Sequence, residues 1–163
     1  MNSNIPGTCF RIPRHEDAES LTRIALAAKA MWGYDDAFMA ACRDELAVTN
    51  ARLDDPDLSY ELAEVHGQVT GFSAVENLGP GRFELEALFV DPDQVRRGTG
   101  RVLLERAVSR IGVAGGGALV VQSDPHAAAF YRACNALQVG ERESASVPGR
   151  MLPLFEIRIS ATR

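Results

Sequence analysis

The sequence predicts a single α/β domain: a mixed, mostly antiparallel sheet with a central parallel pair and helices on both faces. Three observations carry this. Residues 58–90 show three strand patterns in succession, joined by short connections, as in an antiparallel meander. The apolar period then changes from 2 to 3.6 and ends in a short apolar run at 118–122, the pattern of a strand–helix–strand unit with a parallel pair. The chain has 163 residues, 46% hydrophobic and 24% charged, which suits one ordinary globular domain.

In order, residues 1–7 are polar with Gly and Pro and are expected to fray. Thr8-Cys9-Phe10-Arg11-Ile12 suits a short first strand. Ala18, Leu21, Ile24, Ala25, Ala28 and Met31 make one helical stripe, which Gly33 ends. Asp35 caps a second helix running through Phe38, Met39, Cys42 and Leu46. Strands are expected at Leu58–His66 and Val69–Val75, with Gly67-Gln68 as the hairpin turn. Asn77-Leu78-Gly79-Pro80-Gly81 is expected to be a loop, and Phe83–Val90 a strand ending at Asp91-Pro92. Val102, Leu103, Ala107, Val108 and Ile111 share a helix face, and Gly115-Gly116-Gly117 breaks that helix. Ala118–Gln122 reads as a buried strand. Asp124-Pro125 opens another helix, and strands near Gln138–Arg142 and Leu152–Ile159 close the chain around Pro148-Gly149.

Composition excludes several function classes. A net charge of −5 offers no electrostatic case for nucleic acid. Cys9, Cys42 and Cys134 are odd in number, far apart and without a CxxC pair, so neither a metal site nor a disulfide framework is expected. No apolar run is long enough to span a bilayer, and the N-terminus lacks the apolar core of a signal peptide. A soluble, cytoplasmic protein without a membrane partner is expected. There is no internal repeat and no low-complexity stretch.

The chemistry concentrates in Val90-Asp91-Pro92-Asp93-Gln94-Val95-Arg96-Arg97-Gly98-Thr99-Gly100-Arg101. A strand feeds a basic, glycine-bearing loop, and the loop opens a helix. The first N–H groups of a helix lack internal partners and, with the helix dipole, favour an anion. Gly98 and Gly100 leave the backbone open to close approach, and Arg96, Arg97 and Arg101 bring positive charge into an acidic chain. Pyrophosphate binding is implied, although a solvated turn can carry the same glycines. A P-loop would need Lys-Ser/Thr after its last glycine, and a dinucleotide fingerprint would need glycine where Leu103 stands.

This loop resembles the coenzyme A loop of the GNAT (GCN5-related N-acetyltransferase) superfamily, [RQ]xxGx[GA] after a strand ending V-x-P. Here Val90-Asp91-Pro92 precedes Val95-Arg96-Arg97-Gly98-Thr99-Gly100, with Val95 where Arg or Gln is usual and Gln94 one residue early. A second segment, Asp124-Pro125-His126-Ala127-Ala128-Ala129-Phe130-Tyr131, looks like the family's DPNAxxFY, with His126 in place of Asn. Asn135-Ala136 stands where Gly-Phe is usual. The resemblance spans roughly residues 8–160 and implies one acetyltransferase domain using acetyl-CoA as co-substrate, with no metal.

For individual residues the resemblance implies a donor site made by Leu88, Phe89, Val90, Arg96, Arg97, Gly98, Thr99, Gly100, Arg101, His126 and Phe130, with Tyr131 protonating the departing thiolate. An N–H near Leu88–Val90 would steady the developing oxyanion. Glu84 and Glu86 share strand parity and are the candidate bases. Histone-modifying members carry the base six residues before the final Val of this strand, which selects Glu84 and leaves Glu86 beside the acceptor. Trp32 and Tyr34 could hold a cationic amine by cation–π contact. The implied acceptor is a small-molecule or peptide amine, attacked directly in a ternary complex, and a homodimer is expected from the resemblance. Two other classes stay open: a non-catalytic coenzyme A sensor, and an interaction domain whose loop binds another anion.

Overall fold

A computed structural model describes residues 4–163. The expected fraying of residues 1–3 lies outside the described residues, while in 4–7 a turn from Ile5 to Thr8 leads into the first strand. Seven strands form one sheet: β1 (Thr8–Arg11), β2 (Leu58–Val65), β3 (Gln68–Gly79), β4 (Arg82–Val90), β5 (Gly117–Gln122), β6 (Leu137–Glu143) and β7 (Met151–Ile159). Their order is β1-β2-β3-β4-β5-β7-β6. Every pairing is antiparallel except β4 with β5, as the strand–helix–strand pattern predicts.

The helices are α1 (Ala18–Ala30), α2 (Asp36–Leu46), a single turn α3 (Asn50–Leu53), α4 (Thr99–Val113) and α5 (Ala128–Ala133). Two hydrophobic clusters hold them to opposite faces of the sheet. Leu21, Ile24 and Ala25 of α1 pack on Leu62, Phe72 and Ala74, while Leu104, Ala107 and Ile111 of α4 pack on Val75, Leu85, Leu119 and Phe155. Each stripe is the apolar face visible in the sequence.

Three local expectations shift. The β2–β3 turn is His66-Gly67, both at positive φ (49° and 79°), one residue earlier than expected. That geometry matches the right-handed twist of a two-residue hairpin. Asn77–Gly79 belongs to β3 rather than to a loop: Asn77 pairs with Phe83 and Gly79 with Arg82, Leu78 bulges out, and Pro80-Gly81 alone make the turn. Helix α3 is too short to show a period; Thr49 caps it by accepting from the Arg52 N–H at 3.2 Å.

One irregularity positions everything that follows. On β4, Leu85 pairs with Val75 and Ala87 with Ala74, so Glu86 is an inserted residue, a β-bulge. Before it, Phe83 and Leu85 face the α4 cluster; after it, Ala87 and Phe89 face the α1 cluster and Leu88 the α4 cluster. The bulge reverses the alternation in the middle of the strand and bends the strand there.

Candidate active site

Strands β4 and β5 pair through Arg82–Glu84 with Ala118–Val120 and then diverge. From Leu85 to Val90 the edge of β4 that faces β5 has no ladder partner. Buried or half-buried backbone groups need partners, so this edge can accept an extended ligand as a further strand would be accepted. The divergence opens a cleft of about 850 Å³. It runs from the start of α4, along β4, to the ends of α1 and α2.

At one end lie Gln94, Val95, Arg96, Gly98, Thr99, Gly100 and Arg101. Gly98 is left-handed at φ 82°, which turns the chain into α4. Arg96 also has positive φ, 67°, although it is not a glycine. Side chains of Arg96 and Arg97 make no hydrogen bond or ion pair among the described residues, while Arg101 donates to the Ala133 carbonyl at 3.2 Å. Arg97 does not line the cleft. A Cβ on Gly100 would sit 3.5 Å from Val90 and 3.7 Å from Phe130, ordinary packing distances. Glycine there is not demanded by the protein's own packing; what it supplies is open backbone toward the cleft.

The middle of the cleft is lined by Leu88, Phe89, Val90, Phe130 and Tyr131. Tyr131 is nearly buried, and its hydroxyl makes no hydrogen bond among the described residues. Burial, with Cys134 adding to it, pushes the phenol well above its ordinary pKa. Cys42 and Cys134 are also pushed up by burial, so neither is a ready thiolate.

The two glutamates of β4 separate. Glu84 does not line the cleft, and its carboxylate is engaged by Arg142 of β6. Glu86, carried by the bulge, lines the cleft. Burial first, then Glu76 and Glu84 nearby, raise it to about 7, against which Arg52 at 3.6 Å pulls weakly. The family resemblance selects Glu84, six residues before Val90. The geometry favours Glu86, which faces the cleft with a pKa suited to taking a proton near neutrality.

At the far end a side-chain cluster closes the cleft. Asp124 takes Lys29 Nζ at 2.7 Å, Tyr34 Oη at 2.8 Å, and both His126 N and His126 Nδ1 at 2.9 Å. Burial opposes its charge, yet the bonds from Lys29 and the His126 N–H win and hold the carboxyl well below the usual range. Arg150 donates to Tyr34 Oη at 2.6 Å. Trp32 stacks on His126 at 5.1 Å, and both line the cleft. Tyr34 does not line it. Its ring stacks on Phe38 at 3.9 Å and already meets Lys29 at 5.3 Å and Arg150 at 5.2 Å, so the protein's own cations occupy the role expected for an incoming amine.

Sequence reasoning missed Lys29, Arg52 and Arg150, and read Asp124 only as a helix opener. Lys29 carries one faint signal, a cation beside the apolar stripe of α1. Arg52 and Arg150 carry none. Among the described residues no group of three or more His, Cys, Asp or Glu could hold a metal ion, and no helix is long and apolar enough to cross a membrane.

The family model for the acetyltransferase (GNAT) domain matches residues 22–134, more than half of the chain. The chain therefore belongs to the GNAT acetyltransferase family. No curated protein matches the sequence. Among solved structures, a GCN5-related N-acetyltransferase from Rhodopseudomonas palustris superposes with a TM-score of 0.76 at 22% identity, covering 96% of this chain and 98% of that one. PaiA N-acetyltransferase from Thermoplasma acidophilum, solved with coenzyme A, gives 0.68 at 16% identity over 93% and 98%. YncA from Salmonella typhimurium, solved with its cofactor acetyl-CoA, gives 0.65 at 18% identity over 96% of each chain. At these identities the likeness is one of fold.

Proposed function

We propose that this chain is an N-acetyltransferase that moves an acetyl group from acetyl-CoA to an amine by direct attack. The observation that carries this is the cleft itself. One continuous opening joins a basic helix start, a strand edge without a partner, a buried tyrosine and a glutamate raised to about 7. Family membership supports the reading, as do the structural neighbours solved with coenzyme A or acetyl-CoA.

The donor's diphosphate fits the N–H groups that open α4, with Arg96 and Arg101 supplying charge. Its pantetheine amides fit the free edge of β4. Acetyl-CoA supplies an activated acyl group; the protein aligns it and manages two protons. Glu86, directly or through a water, takes the proton from the acceptor ammonium, leaving a lone pair to form the N–C bond. A β4 N–H steadies the carbonyl oxygen as the bond forms. Tyr131 donates its proton to the sulfur as the C–S bond breaks, so coenzyme A leaves as the thiol; the nitrogen's surplus proton, shed as the amide forms, restores the phenol, and Glu86 passes its own to solvent. The burial that raises the phenol would also raise a sulfur anion's demand for a proton beside it. Raised thiol pKa values at Cys42 and Cys134 disfavour an acyl-enzyme route.

Two measurements on the same preparation test this. Calorimetry is expected to show acetyl-CoA binding at one site, and thiol release is expected with at least one member of an amine panel. Absence of binding would sink the loop assignment. Binding without release to any amine would instead mark a coenzyme A sensor.

A further inference from the structure

The acceptor end of the cleft has a charge pattern that selects among amines. Its lining carries Lys29, Arg52 and Arg150 against Glu45, Glu86 and Asp124. Lys29 is matched by Asp124 at 2.7 Å and Arg52 by Glu86 at 3.6 Å. Glu45 accepts from Ser146 Oγ on the β6–β7 connection. A ligand with several ammonium groups would meet as many cations as carboxylates, and Asp124 and Glu86 are already paired, so it would gain little. The same lining suits a molecule that brings one charge of each sign.

Arg150 is built to receive the negative one. Its guanidinium stacks over Phe38 at 4.8 Å and over Tyr34 at 5.2 Å, and Nη2 is pinned to Tyr34 Oη at 2.6 Å, with Asp124 at 3.6 Å. Nε and Nη1 have no partner among the described residues, and neither is a sealed, orphaned buried group, so their N–H groups are accessible on a side chain that lines the cleft. A planar fork held by stacking and by one nitrogen loses little freedom when its remaining N–H groups close on a carboxylate. The cleft lining that holds Arg150 and Glu86 also includes the apolar residues Cys42, Leu46, Val48, Phe72 and Leu152.

We infer that the acceptor is an apolar amino acid or close analogue, whose carboxylate is held by Arg150 and whose amine is delivered to Glu86. This rests on acetyl transfer in this cleft. Arg150 is a specificity residue: it meets the substrate away from the reacting atoms.

Trp32, the chain's one tryptophan, lines the cleft and reports binding without turnover. L-leucine, L-methionine and L-phenylalanine are each titrated against the corresponding amide, following Trp32 fluorescence, with and without saturating coenzyme A. At least one acid is expected to bind roughly 10- to 100-fold tighter than its amide, the range for a hydrogen bond to a charged group. Arg150→Gln should erase that preference, Arg150→Lys should keep part of it, and calorimetric coenzyme A affinity should be unchanged in both. Amides binding as well as acids, an acid preference surviving Arg150→Gln, or no response to any of the three acids would each overturn the inference. The acid–amide comparison needs no variant, so a misfolded substitution does not blunt it. Loss of coenzyme A binding strikes at acetyl transfer itself, and the acid preference is still read without it.

Discussion

The two ends of the cleft are made of different material. In the proposed reading, recognition at the donor end falls mainly to backbone: the opening N–H groups of α4 and the free edge of β4. At the acceptor end it falls to side chains gathered from α1, the α1–α2 and β5–α5 connections and the β6–β7 connection, knotted around Asp124. Backbone recognition depends on where a helix starts and where two strands part, so a short local pattern announces it. Side-chain recognition depends on which distant segments meet. The contrast predicts that donor-end substitutions act through lost access, and acceptor-end ones through lost charge.

Substitution at the junction of the two ends should have the largest effect. Glu86→Gln is expected to lower kcat/KM by roughly 10³–10⁴, the upper range for a positioned base. The native enzyme should gain activity as pH rises through about 7, where Glu86 sheds its proton, and the variant should lose that limb. Glu84→Gln, which breaks the Arg142 pair and removes one of the charges that raise Glu86, should cost less than about tenfold. Equal losses in the two variants would return the base role to Glu84.

Tyr131→Phe comes next, with kcat down by about 10² and acetyl-CoA affinity unchanged by calorimetry. Unchanged turnover would remove its acid role. Gly100→Ala should weaken acetyl-CoA by roughly 10- to 100-fold, as expected when a hydrogen bond to a charged group is lost. Because the added methyl meets Val90 and Phe130 only at packing distance, Tm should hold. A fall in Tm with normal affinity would make Gly100 structural and blur the contrast between the ends.

Most of the fold, and the local segments from which the candidate site is built, were legible in the sequence. The stripe of α1, the strand patterns of 58–90 and the Val90–Arg101 segment are local periodicities, and each appears where expected. What stayed hidden was an insertion and a meeting. The Glu86 bulge leaves no mark on composition, because Glu-Leu-Glu-Ala reads as regular alternation until Val75 and Ala74 fix its register. The Lys29–Asp124–Arg150 knot joins residues far apart in the chain, each of which reads locally as an ordinary surface charge. Tyr34 shows the reverse case: its type suggested ligand binding, but the same knot claims both its hydroxyl and its ring.

The smallest expected effect concerns stability, and there Asp124 and Glu86 have opposite signs. Asp124 has a depressed pKa in the fold, so its charge stabilises the folded state above the unfolded value of 3.8, and that contribution disappears as pH falls through the folded value. Glu86 is raised from 4.5 to about 7. Its fold penalises the charged form: nothing below 4.5, growing between the two values, full above 7. Removing the ionisable group should therefore help where it is charged. Glu86→Gln is expected to leave Tm nearly unchanged at pH 5 and to raise it at pH 8, by about 2–4 °C for each kcal/mol regained in a domain of this length. A Tm gain equal at both pH values would mean that the substitution acts through packing around the bulge and not through charge. A fall in Tm at pH 8 would mean that Arg52 holds the carboxylate more firmly than burial opposes it, and Glu86 would then be as poor a base as Glu84.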